Sequence, residues 1–155
     1  MTLPAYTLHR CEPDDEALAR FDDHTIFQTQ AWLSFVAHSQ GGEPVAAEVR
    51  DRTSVVGRFT GMIIRRAGLR LLGSPLPGWT TSYMGFNMAP GASRAAAMVG
   101  LKRFAFGDLG CHHLEVRDRQ ATPEDLVAGA LHVGALGVSG YEVDLAGGPT
   151  SAGSS

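Results

Sequence analysis

Several familiar sequence signals are missing from this chain, and each absence narrows its class. The opening MTLPAYTLHRCEPDDE has no basic start followed by an apolar block, so no signal peptide is expected. Uninterrupted apolar runs last only a few residues, against the roughly 20 that a bilayer span requires. No membrane span is therefore expected. Only two cysteines occur, Cys11 and Cys111, and in a chain without a signal they are expected to be reduced and structural. The cytoplasm is the expected location. No basic run longer than a pair precedes the long helical region, and 13 basic against 16 acidic residues leave a net charge of −3. Nothing electrostatic recommends a nucleic-acid partner. There is no G-x-S-x-G, no Cys-x-x-Cys, no His-x-x-x-His and no internal repeat.

What is present is the make-up of one ordinary soluble domain: 155 residues, 44% hydrophobic and 19% charged. TIFQTQAWLSFVAHSQ (25–40) places Phe27, Ala31, Trp32, Phe35 and Val36 at helical spacing and ends at Gly41-Gly42. Strand-like runs follow at 43–51, 54–68 and 69–75, separated by turns at Asp51-Arg52 and Ala67-Gly68. Links that short demand antiparallel neighbours. A Pro/Gly-bracketed segment (74–91) holds a short strand around Tyr83–Met88. Ser93 caps a helix expected to run to Gly110. A strand over 111–119, a helix over 122–137 opening on Thr122 and Pro123, and a strand over 139–146 complete the order. The fold class is α/β: a mixed, largely antiparallel twisted sheet flanked by helices, one domain over 1–146 with a disordered tail at 147–155.

The stretch GCHHLEVRDR (110–119) looks like a metal motif. On a strand, however, adjacent side chains point to opposite faces, so His112 and His113 cannot share an ion. Cys111, His113 and Glu115 would share a face, but in a line too long for tetrahedral zinc. No metal is expected, and Glu115 and Arg117 are free to pair with each other or with neighbours. Trp32 lies on the apolar stripe of its helix, as a core anchor whose indole N–H needs a partner. Trp79 and Tyr83 sit in a loop beside a strand, where they either cap the core or wall a ligand site. Arg65-Arg66, next to a turn, is either a solvated strand end or a contact for an anionic acceptor. His24 and His38, flanking the helix, are expected at the surface.

HHLEVRDR (112–119), followed by GYEVDL (140–145), resembles the FemAB-like branch of the GNAT acyltransferases, and is similar to the related cellulose-biosynthesis-type acetyltransferases. Phe27-Gln28-Thr29-Gln30-Ala31-Trp32 matches that family's F-x-[ST]-x-x-W, and LLGSPLPGWTTSYMGF (71–86) looks like its strand-loop-strand. The likeness runs from Phe21 to Leu145 and covers the first of the family's two GNAT-like halves. It implies an N-terminal domain of an N-acyltransferase, moving an acyl or aminoacyl group to an amine acceptor. Because the sequence leaves the family pattern after Leu145, the half is expected to be incomplete for catalysis alone. Two alternatives stand beside it: a non-catalytic interaction or remnant module, and a compact stand-alone acetyl-CoA-dependent N-acetyltransferase.

Within that family's chemistry Glu115 is, by position, the candidate general base; Trp79 and Tyr83 by their loop and Arg65 by its turn are the candidate acceptor contacts, with the core-capping and solvated readings still open. Gly91 and Ala92 stand where the family's glycine-containing loop holds the acyl-CoA pyrophosphate, although Pro90 removes one donor there. No cofactor is expected to be tightly bound. Acyl-CoA or aminoacyl-tRNA would be the donor only with the missing half present. The acceptor would be a small molecule or a cell-envelope precursor. A sheet surface left bare near Tyr141–Leu145 would favour a homodimer.

Overall fold

Two two-residue turns set the centre of the sheet in this computed structural model, which describes residues 3–76 and 78–128. Strand β2 (Glu43–Asp51) meets β3 (Ser54–Arg66) with Asp51 opposite Ser54, and Arg52 turns at a φ of 57°. Strand β4 (Leu69–Ser74) meets β3 with Arg66 opposite Leu69; Ala67 and Gly68 both take positive φ, 50° and 79°. Two left-handed residues in succession match the twist of antiparallel strands, the reason such hairpins are common.

Around this centre the sheet has six strands among the described residues. β1 (Tyr6–Cys11) pairs antiparallel with β2, and β5 (Gly85–Met88) pairs antiparallel with β3. β4 and β5 lie in succession along one side of β3, on Met62–Arg66 and Thr60–Gly57. β6 (His113–Val116) is parallel to β4, with Leu72 beside Leu114. That parallel pair requires a long crossover, and helix α3 (Arg94–Arg103) lies within it. The expected α/β class, with a mostly antiparallel mixed sheet flanked by helices, is what the chain adopts.

Alternation along β3 sends Phe59 and Ile63 to one face and Met62 and Ile64 to the other. The first face packs under α3 with Tyr6, Val45, Leu72, Phe86, Met98 and Leu101. The second packs under helix α2 (Gln30–Gln40) with Leu33, Val36, Leu76 and Met84. Each of these side chains, fully buried, stabilises the fold by about 1.5–3 kcal/mol before entropy is counted. Ser93 caps α3 as expected, its hydroxyl accepting the Ala96 N–H at 3.1 Å.

Some elements depart from the sequence pattern. β1 and a short helix α1 (Asp15–Leu18) precede everything the periodicity suggested. Tyr6 and Leu8 are buried between exposed neighbours, a two-residue period too brief to stand out. The first helix does not begin at Thr25: a 3₁₀ turn at Ile26–Gln28 is followed by a second cap, Thr29, and only then α2. On α2, Leu33 and Val36 are inside while Phe35, expected on the inner stripe, is 52% exposed. α3 does not continue as a regular helix to Gly110. It widens into a π turn at Phe104–Asp108, which keeps Phe104, Ala105, Leu109 and Cys111 facing the core. The strand expected over 111–119 spans only His113–Val116, so Cys111 packs in the core and does not share a face with His113 and Glu115.

Helix α4 (Pro123–Ala128) begins where Thr122 and Pro123 suggested. The rest of that helix, the strand at 139–146 with Tyr141–Leu145, and the tail at 147–155 lie outside the described residues. Among the described residues no helix is long and apolar enough to cross a membrane.

Candidate functional site

The segment between α1 and the 3₁₀ turn, FDDH (21–24), is held to the rest of the molecule by the chemistry of its neighbours. Thr25 and Gln28 form a capping box, and Gln28, itself buried, donates its amide N–H to the Met84 carbonyl at 3.0 Å. This stitches residues near the chain start onto the entry to β5. Asp23 then faces the end of β5 and the start of α3. Its carboxylate accepts from the Arg94 guanidinium at 2.6 Å, from the Met88 main-chain N–H at 3.2 Å and from the Asn87 amide at 3.2 Å.

Arg94 is shared. Its other terminal nitrogen lies 3.6 Å from Asp118 Oδ2, which in turn accepts the Phe86 N–H at 2.7 Å. Asp118 Oδ1 accepts from Gln120 N at 2.8 Å. Burial pushes the Asp118 carboxyl above its ordinary range, although Arg94 and the main-chain donors pull it back. Burial prevails because Arg94 spends its short contact on Asp23 and approaches Asp118 only at longer range. The result is an acid–base–acid bridge joining three parts of the chain that are distant in sequence.

Beside that bridge opens a cleft of about 450 Å³, within the ~300–1,000 Å³ range of small-molecule sites. Arg20, Phe21, Asp22 and Asp23 form one wall; Met88, Ala89, Pro90, Ala92 and Arg94 form the other, with Gln120 at its end. The far wall is a tight turn. Ala92 N–H donates to the Ala89 carbonyl at 3.1 Å, with Pro90 at the second position and Gly91 at the third with φ of 80°. That is a type II turn, for which Pro and Gly are the natural residues. The lining has charge of both signs and no serine, threonine, cysteine, lysine or histidine. It can bind and orient a polar molecule or accept a proton on a carboxylate, and it offers no hydroxyl, thiol or amine side chain for covalent attack.

The residues singled out from sequence are scattered relative to this cleft. Ala92 lines it, and Gly91, exposed, stands in its turn. As a pyrophosphate cradle the turn is short of donors: Pro90 has none, Ala92 N–H serves the turn, and Ser93 N–H donates to the Tyr6 hydroxyl at 3.2 Å. Glu115 is on β6, hydrogen-bonded to His113 at 3.2 Å rather than to Arg117. Trp79 packs against the α2-side core, and Tyr83 makes an edge contact with Phe27 at 5.2 Å with Arg119 over its ring. Arg65 lies near the tip of the β3–β4 hairpin. Trp32 donates its indole N–H to Thr81 Oγ1 at 2.8 Å, the partner it needed. His24 and His38 are exposed, and both cysteines are free. Among the described residues no three or more His, Cys, Asp or Glu side chains are placed to hold a metal ion.

Asp23, Arg94, Asp118 and Asn87 escaped the sequence reading. The one local signal was a paired acid, Asp22-Asp23, in a short segment before a capped turn, and nothing in it identifies Arg94 as the partner. Fold and cleft together define a mixed α/β domain with a surface cleft of apolar walls and charged groups of both signs. Compared with protein-family models, with curated proteins and with solved structures, the chain matches none.

Proposed function

We propose that this chain is the acceptor-binding part of an N-acyltransferase of the FemAB-like, GNAT-type kind, with the Asp22–Arg94 cleft as the seat of the amine-bearing acceptor. One observation carries this reading: a cleft with carboxylates and guanidinium groups on its walls and no serine, threonine, cysteine, lysine or histidine among its lining residues. Direct attack of an amine on a thioester or ester needs a bound amine and a base, not a covalent enzyme intermediate. Asp22, exposed at the rim, is suited to hold an ammonium group, while Asp23 is already engaged by Arg94. The parallel β4–β6 pair, bridged by α3 with its opening turn beside the cleft, is in keeping with the mixed sheet such a transferase would have.

On this reading the acceptor is a small polar molecule or cell-envelope precursor, and acyl-CoA or aminoacyl-tRNA is the donor bound by a further half. Acting in the cytoplasm fits its two free cysteines. Self-association through sheet surface near Tyr141–Leu145 belongs to the same proposal.

Calorimetric titration with amine-bearing acceptors, amino sugars and short muropeptides among them, tests it. Saturable binding that Asp22→Asn weakens by about tenfold is expected, with no heat from acetyl-CoA alone. Acetyl-CoA binding with turnover would favour the stand-alone acetyltransferase instead. If no amine ligand binds or raises the unfolding temperature, the acceptor assignment fails and the non-catalytic module takes its place.

A further inference from the structure

The charged side chains that line the Asp22–Arg94 cleft fall into two sets. Asp23 and Arg94 neutralise each other at 2.6 Å, and Asp23 spends its remaining capacity on the Met88 N–H and the Asn87 amide. Arg20 and Asp22 differ from them. Both line the cleft, both are exposed, and neither has an ion-pair partner among the described residues. A lone charge on a convex surface is simply hydrated. Here a guanidinium and a carboxylate are left over on one wall of a concavity, so a molecule entering it meets both.

The backbone around these two residues is held by its own hydrogen bonds. Arg20 N–H donates to the Ala17 carbonyl at 3.4 Å, Phe21 N–H to the Leu18 carbonyl at 3.1 Å, and His24 N–H to the Phe21 carbonyl at 3.3 Å. Phe21, half-buried, stands between Arg20 and Asp22 and lines the same wall. Met88, Ala89, Pro90 and Ala92 give the facing wall an apolar surface. A cation, an aromatic ring and an anion in succession, opposite apolar side chains, match a molecule with a positive group, a negative group and an apolar body. The two free charges sum to zero. A singly charged amine would therefore satisfy Asp22 and leave the Arg20 guanidinium without an acceptor.

Resting on the reading of this cleft as the seat of an amine acceptor, we propose that the acceptor is an α-amino acid with an apolar side chain, its ammonium held by Asp22 and its carboxylate by Arg20. A guanidinium offers a carboxylate two parallel N–H donors, which fixes orientation as well as charge. In an α-amino acid both charged groups are attached to one carbon, so one small molecule reaches both residues. Its side chain then covers Phe21 and Met88 and removes apolar surface from water. An amino sugar engages Asp22 alone.

Isothermal titration of the full chain with L-leucine, L-leucinamide and glucosamine tests the proposal, at a pH of about 6 where the amines are protonated. The amide keeps the amine and the side chain and removes only the carboxylate charge. Wild type is expected to bind L-leucine saturably and L-leucinamide at least about tenfold more weakly. Arg20→Gln is expected to bind L-leucine about tenfold more weakly than wild type and to lose the preference for acid over amide. Arg52→Gln, which removes the same charge at the β2–β3 turn, should bind like wild type. Equal affinity for acid and amide in wild type, or an undiminished preference in Arg20→Gln, would overturn the α-amino acid and leave the amine-acceptor reading standing. Binding of glucosamine without binding of L-leucine would do the same. If no amine binds at all, the acceptor reading itself fails, and the α-amino acid falls with it.

Discussion

Asp118 sits against the backbone of Gly85. A Cβ built on Gly85 would stand 2.5 Å from Asp118 Oδ2, the same oxygen that accepts the Phe86 N–H. Gly85 also has a φ of 72°, where a side chain is strained regardless of space. The carboxylate can reach the β5 main chain only because position 85 has no side chain.

Gly85→Ala therefore combines a steric clash with backbone strain. It is expected to lower stability by about 2–4 kcal/mol. Gly68→Ala has the same sign of φ but open space around it, and should cost only about 1 kcal/mol. Urea unfolding of the two variants checks the order. Equal losses would show that Asp118 moves away at little cost.

Arg94 joins Asp23 and Asp118, and its side chain is 11% exposed against 1% for Asp118. Removing the cation leaves a buried carboxylate without a charge partner. Arg94→Met is expected to destabilise by about 3–5 kcal/mol. A double variant, Arg94→Met with Asp118→Asn, should recover part of that loss, because the uncompensated charge is gone. Thermal unfolding of the three proteins measures the coupling.

The Asp118 carboxyl is raised above its ordinary value of 3.8, first by burial. A raised acid holds its proton more tightly folded than unfolded. Its contribution thus favours folding below 3.8 and is lost as pH climbs through the folded-state value. The stability of wild type relative to Asp118→Asn should accordingly fall as pH rises across that window, then level. Denaturant titrations over the acid range would reveal it. A difference that grows with pH would mean that the Arg94 pairing outweighs burial.

Trp32 and Thr81 test the loop between β4 and β5. Thr81 is 1% exposed and takes the indole N–H. Trp32→Phe keeps the ring contacts with Phe27 while leaving that hydroxyl without its donor, at an expected cost of about 1–2 kcal/mol. Thr81→Val in the same background should add little further, since the hydrogen bond is already lost. Strictly additive effects would count against the contact.

Local chemistry made part of this protein legible from its residues. Ala67-Gly68 between apolar runs marks a hairpin because only two residues need to adopt left-handed conformations. Ser93 marks a helix start because its hydroxyl needs nothing beyond the next turn. The apolar run in 54–66 reads as a strand, and β3, buried along most of its length, is that strand. Each of these depends on neighbours within a few positions.

Tertiary structure decided what the same residues do together. The chain entering α2 is broken by two caps, Thr25 and Thr29, and of the expected stripe Phe27, Trp32 and Val36 pack on the core while Phe35 is exposed and Leu33 is buried instead. Cys111 went to the core and left His113 and Glu115 as an exposed pair. The cleft was invisible for a simpler reason: the β4–α3–β6 crossover brings Arg94 to Asp118, the Gln28–Met84 hydrogen bond brings Asp23 to both, and no local period encodes such contacts. Sequence alone determined the α/β class and its turns, since those are short-range preferences of the backbone. Which charges meet, and which remain unpaired, depended on packing two helices onto opposite faces of one sheet.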